Sequence, residues 1–193
     1  MLSLIKTNSR LKIGLLGGSF DPPHVGHLEI SLQAIKKLNL NQIWWLITPQ
    51  NPLKPEPAEL DIFRRKKLAI SLSKNSRIVV TDVEKKLRSC YTVNTIYALK
   101  KRFPNYKFIW LMGIDNLLQF HNWKRWQDIA KSTPILAFDR GKAKYKATNS
   151  KAAIFTNRAI NARMLLHKKS GWHLFRIRRI YTSSVSIRST WKR

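Results

Sequence analysis

A chain of 193 residues, 44% apolar and with a formal net charge of +27, is long enough for one well-packed domain over 1–193 and too short for two comfortable ones. Its only cysteine, Cys90, excludes an intrachain disulfide or a thiolate zinc cluster and fits a reducing cytoplasm; a membrane span needs an apolar run of about 18 residues that is absent, and Met1 to Arg10 is too short and polar for a secretory signal. Beyond Asp139 there is no carboxylate, and Lys142 to Arg193 hold 14 Lys or Arg, yet the helix-turn-helix, zinc-finger and RNA-recognition signatures are missing, so weak, salt-sensitive contact with polyanions is expected rather than a specific nucleic-acid partner.

Short apolar runs alternate along the chain with segments of helical spacing. Leu11 to Leu16 predicts a first strand, followed by Gly17-Gly18-Ser19-Phe20-Asp21-Pro22-Pro23-His24-Val25-Gly26-His27. The paired glycines let backbone N–H groups approach an anion, and the two prolines lead the chain into a helix that starts near His24, with Leu28, Leu32, Ile35 and Leu38 as its core face. His24 and His27 share one side of the first turn, with Gly26 leaving space between them; a helix N-terminus attracts phosphate, and two imidazoles add donors. Ile43 to Ile47 predicts the second strand, Thr48 to Pro57 a proline-rich loop, Asp61 the start of a helix through about Leu72, and Arg77 to Thr81 the third strand.

Val93 to Lys101 reads as a helix with Thr92 at its N-cap, and Lys107 to Met112 as the fourth strand. Gly113-Ile114-Asp115 ends that strand, and helical spacing resumes through Leu117, Leu118, Trp126 and Ile129 before a fifth strand at Ile135 to Phe138. Gly141 to about Ser170 is basic without clear periodicity and is expected to be loop-rich. Leu174 to Tyr181 predicts a last strand, and Thr182-Ser183-Ser184 a cap on a short final helix. The alternation predicts an α/β fold: a doubly wound, mainly parallel sheet with helices on both faces. Ligands bind such sheets at the carboxyl ends of the strands, where strand order reverses, so the loops after successive strands should converge on one cleft.

The segment Gly17 to His27 resembles the G-x-F-D-P-x-H-x-G-H signature of the nucleotidylyltransferase superfamily, whose members move a nucleoside monophosphate from a nucleoside triphosphate to a phosphate-bearing acceptor. The dinucleotide fingerprint G-x-G-x-x-G and a Walker lysine are both missing there. Further segments resemble the bacterial nicotinate mononucleotide adenylyltransferases: Tyr91-Thr92-Val93-Asn94-Thr95 is similar to Y-T-x-x-T, Gly113 to Trp123 to G-x-D-x-L-x-x-F-x-x-W, and Ser183 to Arg188 to S-S-T-x-I-R. Val185 departs from that last pattern, where the family has Thr or Ser.

The resemblance implies a Rossmann-like nucleotidylyltransferase fold, ATP and nicotinate mononucleotide as substrates, and Mg²⁺ accompanying ATP, with no protein metal site. It implies catalytic roles for His24, His27 and Arg188, the histidines on the phosphates and the arginine on the leaving pyrophosphate. ATP contacts are expected from Gly17, Gly18, Ser19, Phe20, Gly26, Gly113, Asp115, Ser183 and Ser184. The acceptor is expected to meet Asn51, Lys54, Tyr91, Thr92, Trp123 and Arg140, with Trp123 stacking on the pyridine ring. His121, His167 and His173 have no motif support and read as structural or surface residues. Nicotinamide mononucleotide and phosphopantetheine stay open as acceptors. So does an inactive, basic nucleic-acid-binding relative, a reading that Val185 and the basic tail motivate. The oligomeric state is not readable from sequence.

Overall fold

A computed structural model describes residues 10–54, 56–139, 148–177 and 182–191. Arg140, most of the expected turn after the fifth strand, and the end of the predicted strand at Leu174 to Tyr181 lie outside the described residues. In chain order the elements are β1 (Lys12–Gly18), α1 (Val25–Leu38), β2 (Gln42–Ile47), α2 (Ile62–Ser73), β3 (Ile78–Thr81), α3 (Val83–Lys86), α4 (Thr92–Arg102), β4 (Lys107–Gly113), α5 (Ile114–Gln119), a 3₁₀ turn (Phe120–Asn122) and α6 (Trp126–Ser132). They continue with β5 (Ile135–Asp139), α7 (Lys151–Phe155), a second 3₁₀ segment (Ala162–His167), β6 (Trp172–Arg176) and α8 (Ser184–Trp191).

The six strands form one sheet of order β3-β2-β1-β4-β5-β6, with every neighbouring pair parallel. Strand order reverses between β1 and β4, so the doubly wound arrangement has its switch point beside the glycine-containing end of β1. Successive strand residues face opposite sides, and the adjacent Trp44 and Trp45 show it: Trp44 belongs to the core under α4, α5 and α6, Trp45 to the core under α1 and α2. Both indoles are fully buried.

Several local expectations need correction. In α1 the buried residues are Gly26, Ile30, Ser31, Ala34, Ile35 and Leu38, and Leu28 packs partly buried against the same core, whereas Leu32 is exposed and Ser31 takes the inward place beside it. Tyr91, not Thr92, is the N-cap of α4, and no side chain caps it. The basic stretch is not simply loop: Ser150 caps α7 and Asn161 caps the second 3₁₀ segment through side-chain oxygens. Both elements are too short to show a hydrophobic period.

Candidate active site

The turn between β1 and α1 is organised by its two histidines. His24 is the N-cap of α1; its Nδ1 accepts from the Gly26 N–H at 3.1 Å, and His27 Nδ1 accepts from the His24 N–H at 3.2 Å. The pair thus forms a capping box in which imidazole nitrogens replace the usual hydroxyl and carboxylate. An Nδ1 that accepts leaves the proton of the neutral ring on Nε2, so each ring presents its donor on the side away from the cap. The Gly26 amide is engaged by His24 in this arrangement, so that glycine serves the cap.

Behind the histidines the packing is close. The buried Phe20 ring lies 4.4 Å from His27 and 5.2 Å from Trp45, measured between centroids. Ser31 Oγ accepts from Trp45 Nε1 at 2.7 Å and donates to the His27 carbonyl at 2.8 Å. Phe20, with φ of 49°, is the residue of the turn in the left-handed region. The turn conformation therefore does not require the paired glycines, and of the two it is Gly17 that packing requires. Both remain in β1, opposite Leu46 and Ile47, and a Cβ on Gly17 would come within 2.6 Å of Trp110 Cη2. Gly17 makes room for an indole across the switch point.

Two cavities meet at this turn. The larger, about 410 Å³, is lined by Gly17, Gly18, Ser19 and Thr48 on the strand ends and by Asn51, Glu84, Cys90, Tyr91, Thr92, Trp110, Asn116, Trp123 and Lys124 around them. The smaller, about 210 Å³, is bounded by Ser19, Asp21, Asn51, Lys54, Glu59, Val185 and Arg188. Of the residues expected around a pyridine ring, Asn51, Tyr91, Thr92 and Trp123 come together in the larger cavity, while Lys54 lines the smaller one. Trp123 is braced edge-on against Trp110 and Phe120. Gly113 closes β4 and is the N-cap of α5, and Asp115 is exposed in the first turn of that helix; neither lines these cavities, where Asn116 is the α5 residue present.

The last helix completes the smaller cavity. Ser184 Oγ donates to the Pro22 carbonyl at 2.9 Å, and Arg188 bonds the Asp21 carbonyl through an Nη. The Arg188 guanidinium also lies 3.9 Å from the Asp21 carboxylate and 3.3 Å from that of Glu59. At the start of the helix the Ser183 amide donates to the Ser186 hydroxyl at 3.0 Å and the Ser186 amide to the Ser183 hydroxyl at 3.1 Å. Val185 lines the cavity, and its side chain is exposed.

Sequence reasoning missed two buried charges. Arg65, 2% exposed, donates from Nε to Leu60 O (2.9 Å), from one Nη to Ser19 O (2.6 Å) and Thr48 O (2.7 Å), and from the other to Pro49 O (3.1 Å). It therefore joins the turn after β1 to the loop after β2. Asp21 complements it, accepting from the Glu59 and Leu60 amides at 2.9 and 3.0 Å. Glu84, also 2% exposed, accepts from Thr95 Oγ1 at 3.0 Å, and burial pushes its carboxyl above the ordinary range, opposed by the Thr48 and Thr95 hydroxyls. Helical spacing alone could not separate Arg65 from the exposed Arg64 and Lys67 and the half-buried Lys66 around it. Among the remaining histidines, His173 Nδ1 meets the Ala159 carbonyl at 2.9 Å.

The chain matches the family profile described as Cytidylyltransferase-like over residues 15–189. It is 42% identical over 180 residues to a Cereibacter sphaeroides protein named "Probable nicotinate-nucleotide adenylyltransferase", covering 92% of this chain and 97% of that one. A Roseobacter denitrificans protein of the same name is 42% identical over 183 residues, covering 92% and 91%. Among solved structures, the fold is similar to Plasmodium falciparum nicotinic acid mononucleotide adenylyltransferase complexed with APC (TM-score 0.67, 19% identity) and with NaAD (TM-score 0.66, 22% identity), each covering 93% of this chain and 83% of that one. These likenesses, together with the parallel sheet and the histidine-capped turn at its switch point, establish that the chain belongs to the nicotinate-nucleotide adenylyltransferase family of nucleotidyltransferases.

Proposed function

We propose that this chain transfers AMP from ATP to nicotinate mononucleotide, giving nicotinate adenine dinucleotide and pyrophosphate in the cytoplasmic synthesis of NAD. The observation that carries this reading is the contiguity of the two cavities. Ser19 and Asn51 line both, so an aromatic chamber on one side opens onto a phosphate-sized recess holding Arg188 on the other. The pyridine ring would occupy the chamber beside Trp123, and the outer phosphates of ATP the recess.

The acceptor's 5′-phosphate is ionised at neutral pH and attacks the α-phosphorus directly. A new P–O bond forms as the bond from the α-phosphorus to the bridging oxygen breaks, and that oxygen leaves with pyrophosphate. No protein base is required. His24 and His27, with their Nδ1 atoms occupied by backbone amides, direct Nε2–H donors to the transferring phosphate. Arg188 exchanges its carboxylate partners for the β- and γ-phosphates.

Mg²⁺ would enter on ATP and offset phosphate charge. Among the described residues, no group of three or more His, Cys, Asp and Glu clusters as an ion cage, and Asp21 already accepts two amides. That donor set fits a cation held by phosphate oxygens and water.

The test is pyrophosphate release by the purified chain with ATP and Mg²⁺, offering nicotinate mononucleotide, nicotinamide mononucleotide and phosphopantetheine in separate reactions. Release with nicotinate mononucleotide in preference to the others is expected. Release with none of them overturns the reading.

A further inference from the structure

Resting on that reading, we propose that the Lys124 side chain selects the acidic pyridine mononucleotide over its amide. Nicotinate and nicotinamide differ at one substituent, a carboxylate against a neutral carboxamide, so a chamber that prefers the acid needs positive charge or surplus donors. Among the described residues, Lys124 is the only cationic one lining the larger cavity. Its Nζ lies 4.2 Å from the centroid of the Tyr91 ring, whose face holds the ammonium at the wall of the chamber. Lys54 lines the neighbouring recess instead.

The other polar groups around the chamber do not select a carboxylate over a carboxamide, whose carbonyl oxygen also accepts. Trp110 lines it, is 1% exposed, and has an indole N–H that is buried with no hydrogen-bond partner. Indole nitrogen only donates, so it suits either acceptor. Glu84 Oε2 is likewise buried and unpartnered, and on its own it would favour the amide. Burial raises that carboxyl, and the other groups packed against it, Thr48 and Thr95, are uncharged hydroxyls. Asp82, next to α3, is paired with Lys66 at 2.9 Å. Lys124 is thus the charge within the chamber that distinguishes the two substituents.

The experiment measures kcat/KM for nicotinate and nicotinamide mononucleotides, at saturating ATP, in wild type, Lys124→Gln and Lys124→Arg. For Lys124→Gln the acid-to-amide ratio is expected to fall by about two- to fivefold, the range for losing one partly solvated charge contact. Lys124→Arg should restore most of it. An unchanged ratio overturns the proposal, as does an equal loss for both acceptors, which would place the lysine on the shared phosphate. If wild type turned over neither mononucleotide, it is the assigned reaction that would fail, and wild type alone reveals that before any variant is compared.

Discussion

Arg65 reaches Ser19 across the sheet end, donating to its carbonyl at 2.6 Å while the same Nη donates to Thr48 at 2.7 Å. One guanidinium on α2 thus sets the spacing between the turn after β1 and the loop after β2, and both of those residues border the larger cavity. A lysine keeps the charge but cannot reproduce a planar fork. Arg65→Lys is expected to lose about 2–4 kcal/mol of stability, because buried carbonyls lose their donors. In the protein that remains folded, kcat/KM should fall by at least tenfold. Thermal melts and steady-state pyrophosphate release separate the two effects, and a destabilised variant with wild-type kcat/KM would show that the fork only holds the fold.

His24 caps α1, and one substitution can separate that role from the one proposed for it on the transferring phosphate. Asparagine is among the best N-cap residues and keeps an acceptor for the Gly26 amide. His24→Asn should therefore melt within about 1 kcal/mol of wild type while its turnover drops by about 10²-fold, the scale of losing one donor to a developing charge. His27→Ala should lower the chemical rate by a similar or larger factor with the fold intact. Near-normal turnover in either variant would remove that imidazole from the mechanism.

Arg188 is engaged by Glu59 at 3.3 Å in the absence of phosphate. ATP has to displace that carboxylate, so Glu59→Gln should lower the KM for ATP by up to about fivefold, the worth of a half-exposed ion pair. Arg188→Ala should raise the same KM and slow turnover. A glutamine variant whose KM for ATP rises would mean that Glu59 positions the arginine rather than competing for it.

Glu84 should leave a pH signature. Its carboxyl is raised by burial above the ordinary glutamate value of 4.5, so the folded chain keeps a proton over a range where the unfolded chain has released it. Folded-state stability contributed by this group is greatest below the ordinary value and declines as the pH climbs to the raised one. Glu84→Gln has no such decline. Urea midpoints measured from about pH 4 upward should shift in favour of the variant as pH increases, and a difference independent of pH would contradict the assignment.

Residues whose roles follow from local pattern were legible in the sequence. The strand-turn-helix around Gly17 to His27 and the helix opened by Asp61 follow from spacing and capping preferences alone. So do the strands with apolar runs, whose alternation places the cleft at their carboxyl ends. Other features depend on what comes close in space. Gly17 reads as a phosphate-turn glycine, yet its lack of a side chain answers to Trp110, 93 positions along, as only the β1–β4 pairing reveals. Arg65 sits in a run of basic residues and differs from them by facing carbonyls of distant loops. Glu84 lies in a four-residue helix between Val83 and two lysines, and its burial goes with its bond to Thr95 of α4, eleven positions along.

The helix α8 has no buried residue, and its ties to the first turn are chiefly polar: Ser184 to Pro22 and Arg188 to Asp21 and Glu59. These contacts join residues more than 120 positions apart, so they form only after most of the chain is in place. With so little apolar area engaged, the helix can detach at a free-energy cost well below that of opening the sheet. Warming or mild denaturant would then extinguish turnover while the sheet remained intact, and binding of a triphosphate, by recruiting Arg188, would fasten the helix back. Loss of catalytic competence is in this way expected to precede global unfolding, with the short last helix as the segment that lets go first.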